Sequence, residues 1–232
     1  MRIFRGEEGL AILAAVLASM LLLALGGSLV LLTITETGTA ASFVRSSEAV
    51  YAADAIAERA LPELAQIQDW TAILDGTRRS ALADGSPDGT RTLADGSRVT
   101  LEEVVNLADC GQTTPCTGAQ MDAVTVERPW GPNNPRWQLY AYCPLQSLLP
   151  AGAAPSPFYV ILLAGDDGME TDGDPRVDGG PPAGGEASNP GSGGLLLRAE
   201  AFGPGGAHGA VELAIRRSVR VLSWREAAAP PR

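Results

Sequence analysis

The densest set of chemically capable side chains lies in Gly165-Asp-Asp-Gly-Met-Glu-Thr-Asp-Gly-Asp-Pro-Arg-Val-Asp-Gly179, which places Asp166, Asp167, Glu170, Asp172, Asp174 and Asp178 in one loop. Carboxylates gathered this closely repel one another unless a cation or water separates them. A hard cation such as Ca²⁺ takes roughly six to eight oxygen ligands. These residues are therefore candidate metal ligands, with Ca²⁺ as the candidate cofactor. The spacing departs from the EF-hand loop, which needs Asp or Asn at alternating positions, a glycine and a later Glu. Asp and Gly also favour turns for local reasons, so a solvated acidic loop accounts for the same residues.

Other residues suggest less chemistry. The chain has three cysteines, Cys110, Cys116 and Cys143. The turn-forming Gly and Pro of Cys110-Gly-Gln-Thr-Thr-Pro-Cys116 favour a Cys110–Cys116 disulfide in an oxidising compartment, while pairings through Cys143 stay open. A zinc site is disfavoured, because the cysteines are spread out and His208, the one histidine, is distant. His208 sits in a Gly-rich hairpin with no Gly-x-Ser-x-Gly serine to serve, and reads as a turn residue. Gly179 to Gly194 is rich in glycine but lacks the Lys-Ser or Lys-Thr of a phosphate loop and precedes a strand, so it reads as a flexible connection. No catalytic residues emerge and the chain is not read as an enzyme. Trp70, Trp130, Trp137 and Trp224 read as packing residues, with Trp130 in Arg-Pro-Trp-Gly-Pro a candidate contact if exposed.

These side chains must be carried by a chain built around Leu10 to Leu32, which contains no charged residue. As a helix it would run roughly 35 Å, enough to cross a hydrocarbon core of about 30 Å. The apolar run continues without a small-residue cleavage site into helix-compatible sequence, so it reads as a retained anchor. Arg2 and Arg5 place the N-terminus in the cytoplasm by the positive-inside rule. The pattern continues with Ala53, Ile56, Ala57, Ala60, Leu64 and Ile67 on one face. From Leu10 to Leu61 the helix would be about 75 Å long, too long to be buried by one small domain. Pro62 should kink or restart it.

Asp-Gly pairs at 75, 84, 88 and 95 make the next stretch turn-rich. Val99 to Leu107 reads as a short helix with Thr100 and Glu103 at capping-box spacing. Expected strands follow at Ala123–Val126, Arg136–Cys143, Phe158–Ala164, Leu195–Phe202 and Ala210–Leu222. Val211, Leu213, Ile215, Val219 and Val221 alternate with Glu212, Arg216, Ser218 and Arg220, so one sheet face should lie on the long helix and the other in water. The fold class is α+β, a long N-terminal helix packed on an antiparallel β-meander. The expected divisions are a leader (1–9), a transmembrane helix (10–32), its continuation (33–75), a β-rich globular domain (76–225) and a frayed tail (226–232).

With 232 residues and a formal charge of −10, the chain has room for one soluble domain, and its acidic balance argues against nucleic-acid binding.

The charged leader ending in Gly9, the apolar helix starting at Leu10, Thr33-Ile-Thr-Glu36 and the small-residue continuation Tyr51-Ala-Ala-Asp-Ala-Ile-Ala-Glu-Arg-Ala-Leu61 resemble the N-terminal domain of PilX-type type IV minor pilins. The stretch from Val160 through the acidic loop to Phe202 also resembles that family, whereas Gly76 to Met121 does not. The resemblance implies a pilin-like fold and cleavage by prepilin peptidase between Gly9 and Leu10. It implies a single pass through the inner membrane with the C-terminal domain in the periplasm. Other pilins, meeting the chain through the N-terminal helix, and a tip adhesin are the implied partners, in a pilus after assembly. Most pilins carry glutamate at the fifth mature position, where this chain has Ala14. That departure admits a tip pseudopilin of a type II secretion system as an alternative. An uncleaved single-pass envelope protein with a Ca²⁺-binding domain is a further alternative.

Overall fold

The structure, a computed structural model, describes residues 7–169, 173–179, 193–216 and 220–227, and side chains from residue 10 onward. Helix α1 spans Glu7–Leu64. The chain divides into Met1–Val44 and a compact unit Arg45–Arg232. In the first of these, every described side chain is exposed from Leu10 onward. Ser19, Ser28, Thr33, Thr35, Thr37 and Thr39 return their hydroxyls to the helix's own carbonyls one turn back, as Ser19 does to Ala15 O and Ser28 to Ala24 O, each at 2.8 Å. A helix so satisfied exposes few polar groups needing water, as a helix crossing lipid requires.

In the second unit α1 becomes a core element. Ala49, Ala52, Ala53, Ile56, Ala57, Ala60 and Leu64 are all buried, at alternating spacings of three and one followed by a last step of four, and line one helical face. The helix runs through Pro62 and ends within a turn, at Leu64. Near a C-terminus the proline forfeits one backbone bond, and the end tightens through Gln66 N to Glu63 O and Ile67 N to Leu64 O, both 3.1 Å. The expected continuation to residue 75 is corrected accordingly. The chain leaves the helix at Leu64, whose carbonyl accepts the Trp70 indole N–H, and re-enters helix for one turn, α2, at Thr71–Leu74.

The Asp-Gly turns hold, with Gly76, Gly85, Gly89 and Gly96 all at positive φ. Between them lies a small hairpin, β1 (Thr90–Thr92) and β2 (Arg98–Thr100), leading into α3 (Leu101–Cys110). The capping box expected from Thr100 and Glu103 is not formed: the Thr100 hydroxyl faces that of Thr90 at 3.3 Å across the hairpin. The capping box sits instead at Thr117 and Gln120, opening the one-turn α4 (Gly118–Met121).

The main sheet consists of β3 (Gln138–Pro144), β4 (Tyr159–Asp166), β5 (Gly194–Phe202), β6 (His208–Arg216) and β7 (Arg220–Ala227), in sequential order and antiparallel throughout. Three expectations need correction. Ala123–Val126 is not a strand: Thr125 N bonds Arg128 O and Arg128 N bonds the Thr125 hydroxyl, both at 3.0 Å, closing a turn. Ala210–Leu222 is not one strand but parts of β6 and β7. Glu226 and Ala227, expected in the tail, instead belong to β7 and pair with Val211 and Ala210.

The sheet is buried more fully than an outer face in water would allow. Val160, Leu162, Ala164, Leu195, Leu197, Ala199 and Val211 pack with the helix face. Tyr159, Ile161 and Leu163 join Leu93, Val99, Leu101 and Val104 in a second core on the opposite face. Every residue of β4 is therefore buried, which explains its continuous apolar sequence.

Helix and sheet meet most closely at Gly209. A Cβ there would lie 2.5 Å from Val50 N and 2.6 Å from Ala49 C, both backbone atoms that cannot swing aside. Gly209→Ala should therefore cost about 1–3 kcal/mol by forcing the two elements apart. Thermal unfolding of the detergent-solubilised chain checks this against Gly118→Ala, whose Cβ would meet nothing within 4 Å and should leave stability within about 0.5 kcal/mol.

Candidate functional site

The acidic loop does not assemble into a cluster among its described residues. Asp166 is buried at the end of β4, opposite Leu195. Asp167 Oδ1 accepts from Met169 N and Asp174 Oδ1 from Arg176 N, each at 3.1 Å. Asp178 is tied to α2: its Oδ2 accepts from Trp70 N at 2.8 Å, and its own N–H donates to the Thr71 hydroxyl at 3.2 Å. Glu170 and Asp172 lie outside the described residues, as does most of the Gly179–Gly194 connection. Among the described residues no three His, Cys, Asp or Glu side chains are grouped to hold a metal ion. Gly9 and Leu10 lie in the first turns of α1.

Cys110 and Cys116 are joined by a disulfide with Cα atoms 6.1 Å apart, tying the end of α3 to the start of α4. Cys143 is a buried thiol in β3, where burial, reinforced by the negative charge of Asp84, pushes its pKa up to about 11. At that value it is protonated and inert at neutral pH.

A polar system that the sequence reading missed runs across β5, β6 and β7. His208 Nε2 meets Glu200 Oε2 at 2.9 Å, and Arg198 Nε donates to the other oxygen of Glu200 at 2.6 Å. Arg198 Nη1 donates to Glu212 at 2.6 Å, and Arg225 Nε to Glu212 at 2.9 Å. The His208 ring stacks on Phe202 with centroids 4.4 Å apart, so it is a fixed member of this ladder and not a loose turn residue. Burial raises the pKa of Glu200, but the His208 hydrogen bond and Arg198 charge outweigh it and hold the carboxyl below its ordinary value. The signal was present in sequence: the hairpin register that pairs Phe202 with His208 also sets Arg198 against Glu212.

Three members of the ladder, Arg198, Glu212 and Arg225, line a groove of about 990 Å³ together with Arg128, Trp130 and Trp137. Its outer wall is the loop between α4 and β3. Asn134, fully buried, organises that loop by donating to Met121 O and Ala123 O and accepting from Trp130 N, each at 3.0 Å. Trp130 lies flat against Gly168, where a Cβ would come within 2.6 Å of the indole, and is 36% exposed. It is therefore partly a packing residue and partly groove surface. His208 is engaged by Glu200 and stacked on Phe202, so the ladder provides charge and rigidity.

Comparison with known protein families, curated proteins and solved structures finds no match to this chain.

Beside the groove, Asp109 in the last turn of α3 is 7% exposed, and its Oδ1 accepts from Trp137 N at 2.9 Å. Burial lifts its pKa to about 6, against the opposing pull of the Trp137 N–H and of Arg128, Arg136 and Arg176. A carboxyl with a raised folded pKa favours folding in its protonated form. Its contribution is present below about pH 4 and is lost as pH rises through about 6. Asp109→Asn should thus leave stability unchanged at pH 4 and raise it by about 1–3 kcal/mol at pH 8. Urea unfolding of both proteins across that pH range checks the sign.

Proposed function

We propose that this chain is a pilin-like subunit of a type IV pilus system. In this reading prepilin peptidase cleaves it after Gly9. It is held in the inner membrane by the segment beginning at Leu10 and enters a filament through the same helix, with its globular unit in the periplasm before assembly. The observation that carries the reading is the character of α1. One helix, Glu7–Leu64, has an uncharged, fully exposed stretch long enough to cross a membrane, followed by an alanine-rich face buried on an antiparallel sheet. The exposed stretch needs lipid or other apolar helices as its surroundings. Small residues along it, Ala11, Ala15 and Ser19 at intervals of four, permit close helix approach in either. In this reading the role is structural rather than enzymatic.

Ala14 supports a second reading, a tip pseudopilin of a type II secretion system, because it lacks the glutamate most pilins carry there. Both readings require the same processing.

Intact mass of the chain purified from membranes, with and without active prepilin peptidase, tests them together. Loss of Met1–Gly9 only with active peptidase is expected. Retention of the leader in both would remove both readings and leave an uncleaved single-pass envelope protein. Fractionation with pili or with the secretion machinery then separates the first two.

A further inference from the structure

The sheet has two edges, and they are treated differently. Beyond β3 the edge is occupied: Ser80 N donates to Tyr140 O and Asp84 N to Tyr142 O, both at 2.8 Å, and Ala83 bridges Tyr142. Beyond β7 no strand pairs among the described residues, so its outward N–H and C=O groups form an open template. That strand is exposed over nearly its whole length and carries apolar side chains, Val221 at 42%, Leu222 at 48% and Trp224 at 50% exposure. Trp224 is fixed by its indole N–H donating to Asp54 at 2.8 Å.

The charge at this edge is anomalous. In a chain of net charge −10, residues 216–227 contain four arginines against one acidic residue, Glu226. Arg216 and Arg220 are direct cross-strand partners, an arrangement of like charges that destabilises a hairpin. Neither forms an ion pair among the described residues, and the side chain of Arg225 is 69% exposed beyond its contact with Glu212. A β-bulge between Ala214 and Ile215 adds local twist, which discourages indiscriminate pairing at an edge.

We propose that the free edge of β7 is a docking site for an extended, acidic segment of another polypeptide, which adds as a further strand. Its backbone would bond the open edge and its apolar side chains would cover Val221, Leu222 and Trp224. Its carboxylates would relieve the Arg216–Arg220 repulsion. A second copy docking β7 on β7 is disfavoured, because it would bring these arginines together. The edge belongs to the folded unit and its use does not depend on leader cleavage.

The test measures fluorescence anisotropy of a labelled ten-residue peptide of alternating Glu and Val, added at low salt to the full chain in detergent micelles. Controls are the Lys-Val counterpart and the Glu-Val peptide N-methylated at alternate residues. Saturable binding is expected, at least tenfold tighter than for the Lys-Val peptide. N-methylation and the double variant Arg216→Glu/Arg220→Glu should each weaken it at least tenfold. Circular dichroism establishes that the variant folds, and the two peptide controls decide the matter if it does not. The proposal is overturned by absent saturable binding, by equal binding of acidic and basic peptides, or by undiminished binding of the N-methylated peptide. It is also overturned if Leu222→Cys chains cross-link to one another and thereby block the peptide, since the occupant is then a second copy.

Discussion

The close approach of α1 to β6 is the contact on which the globular unit depends. Alanines at 49, 52, 53, 57 and 60 leave the helix narrow on one side, and Gly209 removes the side chain that would hold the strand away. Where two backbones come this near, burial is obtained from many small contacts rather than a few large side chains. Larger residues supply volume beyond that seam, with Ile56, Leu64, Trp70, Ile73 and Leu74 filling the space toward β3 and β4.

From that seam the sheet's second face follows. The strands packed under α1 present Tyr159, Ile161 and Leu163 to the other side, and α3 with the β1–β2 hairpin covers them. Farther along the sheet the covering gives way to the Arg198, Glu200, His208, Glu212 and Arg225 ladder, on the face opposite the helix. A one-residue slip of β5 would turn this ladder into the alanine seam, so the buried charges pin the register even if their net contribution to stability is small. The groove above them is bounded by a loop whose shape is set by Asn134.

Elements with a strong period were legible from the amino-acid order. The small-residue face of α1 repeats at helical spacing, and β3, β4 and β5 are branched or aromatic runs bounded by Pro and Gly. The β6–β7 reversal was not legible, because Arg217-Ser-Val219 offers no Gly, Pro or Asn and the apolar alternation of Val211, Leu213 and Ile215 resumes in phase at Val219 and Val221. Ala123–Val126 misled for the opposite reason. Its branched residues suit a strand, but local bonds at Thr125 and Arg128 close a turn and leave Val126 93% exposed. Of the candidate site residues, the two cysteines are six positions apart and close enough to meet by local turning. Asp178 depended on a partner more than a hundred residues away, at Trp70, which local reading could not supply.

In the proposed reading one helix has two different environments, an apolar one for residues 10–32 and the sheet for residues 49–64. Hydrogen exchange of the full chain in lipid nanodiscs tests this most directly, because backbone protection reports both environments at once. The predicted result is two strongly protected stretches at those positions, separated by faster exchange through the polar Thr33–Val44 segment. Fast exchange across residues 10–32 in the bilayer would contradict the membrane assignment. Exchange at 49–64 as fast as in the intervening segment would contradict the packing on which the globular unit depends.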